Sequence, residues 1–189
     1  MQTMEPRKNP RMFRIYDKGG GYYSITMNTY RRLPLFNDPE LRQALRDAMR
    51  TVKELLPFQT HAFVLLPDHI HWILSIEDDE LSKRIGLIKA LTTKFYGKQP
   101  SEDRTKGYKN ARRHSIWQPR FYEKTIRSEK QLYDETLYIY TNPVHHGHCK
   151  KVGDWPWSSF HRDVRLGVVP ESWAHISMDK KTTVRREDR

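Results

Sequence analysis

An α+β fold with a ferredoxin-like (RRM-like) antiparallel sheet, ordered β-α-β-β-α-β with helices on one face and one further helix after it, follows from three features of this 189-residue chain. Two amphipathic helical patterns each stand between β-favouring runs. Two of those runs flank a single Pro-Asp turn in "LLPDHIH". A last helix follows the final strand behind a capping signature.

The elements follow in order. Residues 1–18 are polar and basic and are expected to form an arm. Gly19-Gly20-Gly21 precede "YYSITMN", whose β-branched and aromatic residues predict the first strand. In "NDPELRQALRDAMRTVKELLPF", Asp38 is a candidate N-cap and Pro39 suits the first helical position. Leu41, Leu45, Ala48, Val52 and Leu55 recur at helical spacing, and Pro57 closes the helix. "THAFVLLPDHIHWILSIE" predicts two strands around the Pro-Asp turn. The second helix carries Leu81, Ile85, Ile88, Leu91 and Phe95 on one face and ends at Gly97. The polar stretch 98–116 predicts a loop, and a short strand begins near Phe121. Ser128 with Gln131 three residues later makes a capping box for a helix running to Asn142, with Pro143 beyond it. One domain over 19–165 results, with a tail over 166–189 whose end, "DKKTTVRREDR", lacks apolar periodicity and is expected to be disordered.

A net charge of +11 and a pI near 9.8 point to a polyanionic partner. Aromatic residues make up 12% of the chain, which suits unpaired nucleic acid: bases stack on rings while Arg and Lys follow the phosphates. No apolar stretch is long enough to span a bilayer, and "MQTMEPRKNPRMFR" has no hydrophobic core behind its basic residues. The single cysteine, Cys149, allows no disulfide within the chain. A cytoplasmic, nucleoid-associated protein without a membrane partner is expected.

The strand "HIHWILSI" alternates. Ile70, Trp72, Leu74 and Ile76 share one apolar face that should pack on helices. His69, His71, Ile73 and Ser75 share the other, more polar face. Two imidazoles two apart on a strand can share a metal ion, but they also occur as ordinary sheet residues. At about 100° per residue, Leu132, Thr136, Ile139 and Pro143 form the expected buried stripe of the third helix. Gln131, Asp134, Tyr138 and Asn142 form a polar one, which makes Tyr138 and Asn142, four apart, a candidate nucleophile and metal-binding amide.

In order along the chain, "PDHIHWILSI", "IWQPRFYEKTIR" and "YIYTNPVHHG…VGDWPWSSFH" resemble the REP-associated tyrosine transposases, single-tyrosine members of the HUH (His, bulky hydrophobic, His) endonuclease superfamily. The resemblance covers about Tyr22 to Asp163. It implies metal ligation by His69, His71 and Asn142, with Mg²⁺ or Mn²⁺ as the ion, and catalysis by Tyr138. It also implies cleavage and rejoining of single-stranded DNA through a 5′-phosphotyrosine. The implied partner is a short REP-like palindromic hairpin with a 5′ tetranucleotide at its foot. The implied state is a monomer, with a dimer as the alternative because insertion-sequence relatives exchange helices. Many relatives carry a histidine where this chain has Lys124.

Candidate DNA contacts are Arg11, Arg14, Arg31, Arg32, Arg112, Arg113, Arg120 and Lys124, with Trp117 either stacking on a base or anchoring the long loop. "HHGHC" (His145, His146, His148, Cys149) is expected to be a surface turn rather than a zinc site, since no second ligand cluster stands at finger-like spacing. Trp155 and Trp157 are expected to seal the third helix against the sheet. Two rival functions stay open: a non-catalytic single-stranded nucleic-acid binder on an RRM-like sheet, and a metal-dependent phosphodiesterase using activated water with Tyr138 only a ligand or bystander.

Overall fold

The computed structural model describes residues 21–98 and 116–177. Four strands, β1 (Gly21–Asn28), β2 (Gln59–Leu65), β3 (His69–Ile76) and β4 (Tyr122–Ile126), form one sheet in the order β2-β3-β1-β4. Every neighbouring pair is antiparallel. With helices α1 (Pro39–Leu55) and α2 (Leu81–Tyr96) as the two crossovers, this is the ferredoxin-like split βαβ topology.

The apolar face of β3 packs as its alternation requires. Ile70, Trp72 and Leu74 join Ile25 and Met27 of β1, Leu41, Leu45 and Val52 of α1, and Ile85 and Ile88 of α2 in one core. Asp38 caps α1 by accepting the Glu40 N–H at 2.8 Å. Such a cap contributes about 1 kcal/mol. The Tyr96 hydroxyl donates to the other Asp38 oxygen at 2.6 Å and ties the end of α2 to the start of α1. Gly97 then ends α2 at φ 63, a left-handed conformation that a side chain would strain.

The second face of the sheet carries the further helix. Helix α3 (Glu129–His145) lies across it, and a short α4 (Phe160–Arg165) packs behind α3. Ala62, Val64 and Ile73 meet Leu132, Ile139, Val144, Trp155 and Phe160 there. A fully buried Phe contributes about 1.5–3 kcal/mol by leaving water, so this second core holds α3 firmly. The histidine face is therefore an interior, with helices on both sides of the sheet.

Ser128 caps α3 through the Gln131 N–H at 3.1 Å, while Gln131 Oε1 accepts the Arg127 N–H one residue early for a regular capping box. The helix does not stop at Asn142. Pro143 sits inside its last turn, where its fixed φ suits a helix and only one backbone donor is lost. The His146 N–H bonds the Asn142 carbonyl at 3.0 Å, and Gly147 closes the turn at φ 71.

Residues 157–159 run beside β2 and cover its open edge. The Leu65 N–H bonds the Trp157 carbonyl at 2.9 Å, and the Ser159 N–H bonds the Phe63 carbonyl at 2.8 Å. Only one of the two tryptophans acts as a seal. Trp155 is buried and donates its indole N–H to the Leu65 carbonyl at 3.0 Å. Trp157 is exposed, with the Arg42 guanidinium 4.5 Å above its ring. Past the boundary expected at 165, Val169 and Trp173 are buried, and Trp173 meets Tyr133 of α3 at 5.3 Å. The packed body thus reaches into the stretch expected to be tail.

Candidate active site

Strand β3 aims His69 and His71 into the interface with α3, where they are 1% and 2% exposed. Their rings are 4.9 Å apart. From α3, the Tyr138 ring lies 5.6 Å from His71. Two turns on, at the helix C-cap, the His146 ring lies 5.1 Å from His69. Positions i, i+4 and i+8 follow one stripe of a helix, so Asn142 stands between those two contacts and faces the histidine pair. The polar stripe that carries the candidate nucleophile and amide is thus the one laid on the two histidines. Tyr138 is 9% exposed and Asn142 is 0% exposed.

A buried amide normally finds hydrogen-bond partners. Neither Asn142 Oδ1 nor Nδ2 has one among the described residues, and neither has His69 Nε2. The second ring nitrogen of each histidine is held. His69 Nδ1 is 2.6 Å from Asp68 Oδ1, and His71 Nδ1 is 3.1 Å from Thr26 Oγ1. Burial pushes His69 down to about 4 against the pull of Asp68, so the imidazole is neutral at pH 7, as a metal ligand must be. Burial also opposes the Asp68 charge, but the His69 hydrogen bond and the Arg32 guanidinium hold that carboxyl below its ordinary value. Two imidazoles and an amide oxygen, with outer partners that orient the rings, fit a divalent ion with open positions. Among the described residues no group of three or more His, Cys, Asp or Glu is arranged to hold a metal, so the amide is needed to complete a set of three.

The two tyrosines of "YIYTNP" have different surroundings. The Tyr140 hydroxyl donates to buried Asp163 and lies 2.9 Å from Ser159 Oγ, on the side of α4. Burial, then the Asp163 charge, push its pKa far up. Tyr140 is a fastener between α3 and α4, and Tyr138 is the tyrosine beside the histidines.

The expected DNA contacts divide. Arg11, Arg14, Arg112 and Arg113 lie outside the described residues. Arg31 and Arg120 are exposed. Trp117 is 3% exposed and packs 5.4 Å from Phe36, so it anchors the core and has no face free for a base. Arg32 turns inward. Its Nε is 3.1 Å from Asp68 Oδ2, and its Nη1 donates to Asn28 Oδ1 at 2.6 Å. Lys124 donates to Glu135 Oε1 at 2.5 Å, and the Ser24 hydroxyl reaches the other oxygen at 3.3 Å. Glu135 is buried on α3, one turn before Tyr138, so the charge at Lys124 compensates an interior carboxylate. The "HHGHC" turn is not merely surface, because His146 covers His69 and the His145 ring lies 6.2 Å from Tyr138. Sequence reasoning missed Thr26, Asp68, Glu135 and His146. Only Asp68 carried a signal, as the carboxylate directly before the first histidine.

Comparisons with known proteins show the family of the chain. A family model described as "Transposase IS200 like" matches residues 18–142, a span that holds His69, His71, Tyr138 and Asn142. The chain is 41% identical over 163 residues to the REP-associated tyrosine transposase of Escherichia coli K12, covering 85% of this chain and 88% of that one. It is also similar to the solved structure of a REP-associated tyrosine transposase bound to a REP hairpin. There the TM-score is 0.70 at 38% identity, over 91% of this chain and 96% of the other.

Proposed function

Since the chain belongs to the IS200-like transposases, and within them to the REP-associated tyrosine transposases, we propose that it cuts and rejoins single-stranded DNA at REP-like hairpins, with Tyr138 as nucleophile. The observation that carries this reading is the single stripe of α3, Tyr138–Asn142–His146, laid against His71 and His69.

In the forward step the Tyr138 oxygen bonds to the scissile phosphorus and its proton passes to solvent. The bond from phosphorus to the 3′ oxygen breaks, and that oxygen leaves as a 3′-OH after taking up a proton. The 5′-phosphate stays on Tyr138. In the return step a 3′-OH attacks the phosphotyrosine and frees the phenol. One phosphodiester is exchanged for another, so no nucleotide hydrolysis is needed. An unperturbed tyrosine titrates near 10, so the site must favour charge moving onto phosphate oxygens. His69, His71 and Asn142 would hold Mg²⁺ or Mn²⁺, and when bound the ion supplies Lewis-acid polarisation of the phosphate. Mn²⁺ is expected to bind more tightly, since it accepts imidazole more readily than Mg²⁺ does. Asp68 and Thr26 orient the two rings. Glu135 and Lys124 brace α3 one turn before the nucleophile. All four site residues come from one chain, with α3 folded onto its own sheet, so a monomer suffices. The hairpin and its 5′ tetranucleotide are the substrate proposed by analogy with the hairpin-bound relative.

The test uses REP-like hairpin oligonucleotides labelled at the 3′ end, incubated with protein and Mg²⁺ or Mn²⁺ and run on a denaturing gel. Label should move to protein size, and that band should vanish in Tyr138→Phe and with chelator. Free cleaved fragments without an adduct would instead establish hydrolysis by water. Binding without cleavage across a panel of repeats would leave a DNA-binding module.

A further inference from the structure

Asp68 divides its carboxylate between two partners. Oδ1 is 2.6 Å from His69 Nδ1, and Oδ2 is 3.1 Å from Arg32 Nε. Arg32 is itself aimed by a second acceptor, Asn28 Oδ1 at 2.6 Å, on the strand residue paired with His69. The backbone that delivers Arg32 is unusual. Arg31 and Arg32 stand at φ 55 and 56, two successive side-chain-bearing residues in the left-handed region. That turn is gripped from both sides. The Thr29 N–H donates to the Asp68 carbonyl at 2.8 Å, Thr29 Oγ1 lies within reach of the Asp68 and Leu33 carbonyls, and the Tyr30 N–H donates to the Ile116 carbonyl at 2.8 Å. Thr29 is fully buried. The strained turn thus holds Asp68 by its backbone and by its side chain.

We infer that Arg32, acting through Asp68, is a positioning residue that fixes the His69 tautomer, with the proton on Nδ1 and the Nε2 lone pair turned toward Asn142. The inference rests on the metal reading of His69, His71 and Asn142. An ionised carboxylate beside Nδ1 can only accept, so Nδ1 carries the proton and Nε2 is left as the coordinating atom. Arg32 holds the carboxylate rotated with one oxygen per partner. A guanidinium suits this because Nε and Nη1 reach two acceptors along fixed directions, which the single ammonium of lysine does not. The guanidinium so engaged is a structural part of the site rather than a free phosphate contact.

Two readouts test this. The first is the imidazole ¹⁵N spectrum of metal-free protein at neutral pH, which reports which His69 nitrogen carries the proton. The second is Mn²⁺ affinity by titration calorimetry. Wild type, Arg32→Lys, Arg32→Gln and Asp68→Asn are compared, with a thermal melt for each to establish folding. Wild-type His69 should be protonated on Nδ1. Arg32→Gln and Asp68→Asn should show mixed tautomers and lose about 10–100-fold in Mn²⁺ affinity, and Arg32→Lys should recover only part of it. A folded Arg32→Gln that keeps the Nδ1 proton and binds Mn²⁺ within twofold of wild type overturns the inference. Wild type that binds no Mn²⁺ overturns the metal reading instead, and the tautomer spectra still decide the role of Arg32.

Discussion

Replacing Asn142 by leucine tests the site through stability alone. Leucine copies the branching of asparagine with two methyls in place of the amide atoms. The Asn142 amide is fully buried, and both of its polar atoms lack partners among the described residues. Such a group costs about 1–3 kcal/mol. Leucine removes that cost and adds some bulk, which opposes part of the gain. Asn142→Leu should therefore be more stable than wild type in chelator by about 1–2 kcal/mol. For a chain of this size that is a rise in Tm of roughly 2–8 °C. In Mn²⁺ the order should reverse. A ligand at a hundredfold excess over its Kd adds about 2.7 kcal/mol to the form that binds it. Wild type should gain that much and the variant little. Calorimetric or fluorescence melts in chelator and across a Mn²⁺ series measure both effects. A variant less stable than wild type in chelator would show that the amide is already bonded, for example to an ordered water. Equal Mn²⁺ gains in both proteins would remove Asn142 from the ligand set.

Further outcomes can be checked with simple assays. Tyr140→Phe deletes a donor to buried Asp163 and should cost about 1–3 kcal/mol in urea unfolding, yet keep the covalent DNA adduct. Loss of the adduct at full stability would put Tyr140 into the chemistry. Arg31→Gly relieves the left-handed φ of 55, a strain of about 1 kcal/mol partly offset by glycine's greater chain entropy. The free energy of urea unfolding should hold or rise, and a fall of about 1 kcal/mol or more would mean that the turn is unstrained. Burial, then the Arg162 charge, lower His61 from 6.5 to about 4, partly offset by Asp163. A depressed histidine favours folding fully above pH 6.5 and loses that contribution as pH falls toward 4. His61→Gln should flatten the plot of Tm against pH in that window, leaving the share that His69 contributes there; an unchanged slope would refute the assignment. DNA affinity should fall steeply between 50 and 200 mM salt, by about 10³-fold or more if six or more phosphates are contacted, and a flat salt plot would argue against a phosphate-tracking surface.

The parts of the fold that could be anticipated were those set by local chemistry. Asp38-Pro39 is a helix start wherever it is placed, Ser128 and Gln131 mark another, and the alternation of Ile70, Trp72, Leu74 and Ile76 demands one buried sheet face. What could not be anticipated depends on partners far along the chain. A helical wheel gives the angle between two stripes of α3 but not which one meets the sheet. Leu132 and Ile139 mark an apolar stripe, and the polar stripe offered Tyr138 and Asn142 as candidate nucleophile and amide, but polarity alone suits a solvated face equally well. The helix is enclosed toward its C-terminal end by the sheet, α4 and the segment around Trp173, so Tyr138 and Asn142 are buried along with the apolar stripe while Asp134 stays exposed. Arg32 was assigned to phosphate because its inward turn needs two left-handed residues and the pairing of Asn28 with His69, neither of which is written locally. Trp117 stood open between the two roles, since an aromatic beside a basic loop is as apt to anchor a core as to stack on a base, and its burial against Phe36 decides for the anchor. The polar residues whose surroundings are unusual gather at one place. Tyr138, Asn142 and Arg32 each break a rule of burial or backbone conformation, and each does so within the group built around His69 and His71. Local rules are broken where a compensating function holds the exception in place. That convergence argues for the catalytic site independently of the histidine motif that first suggested it.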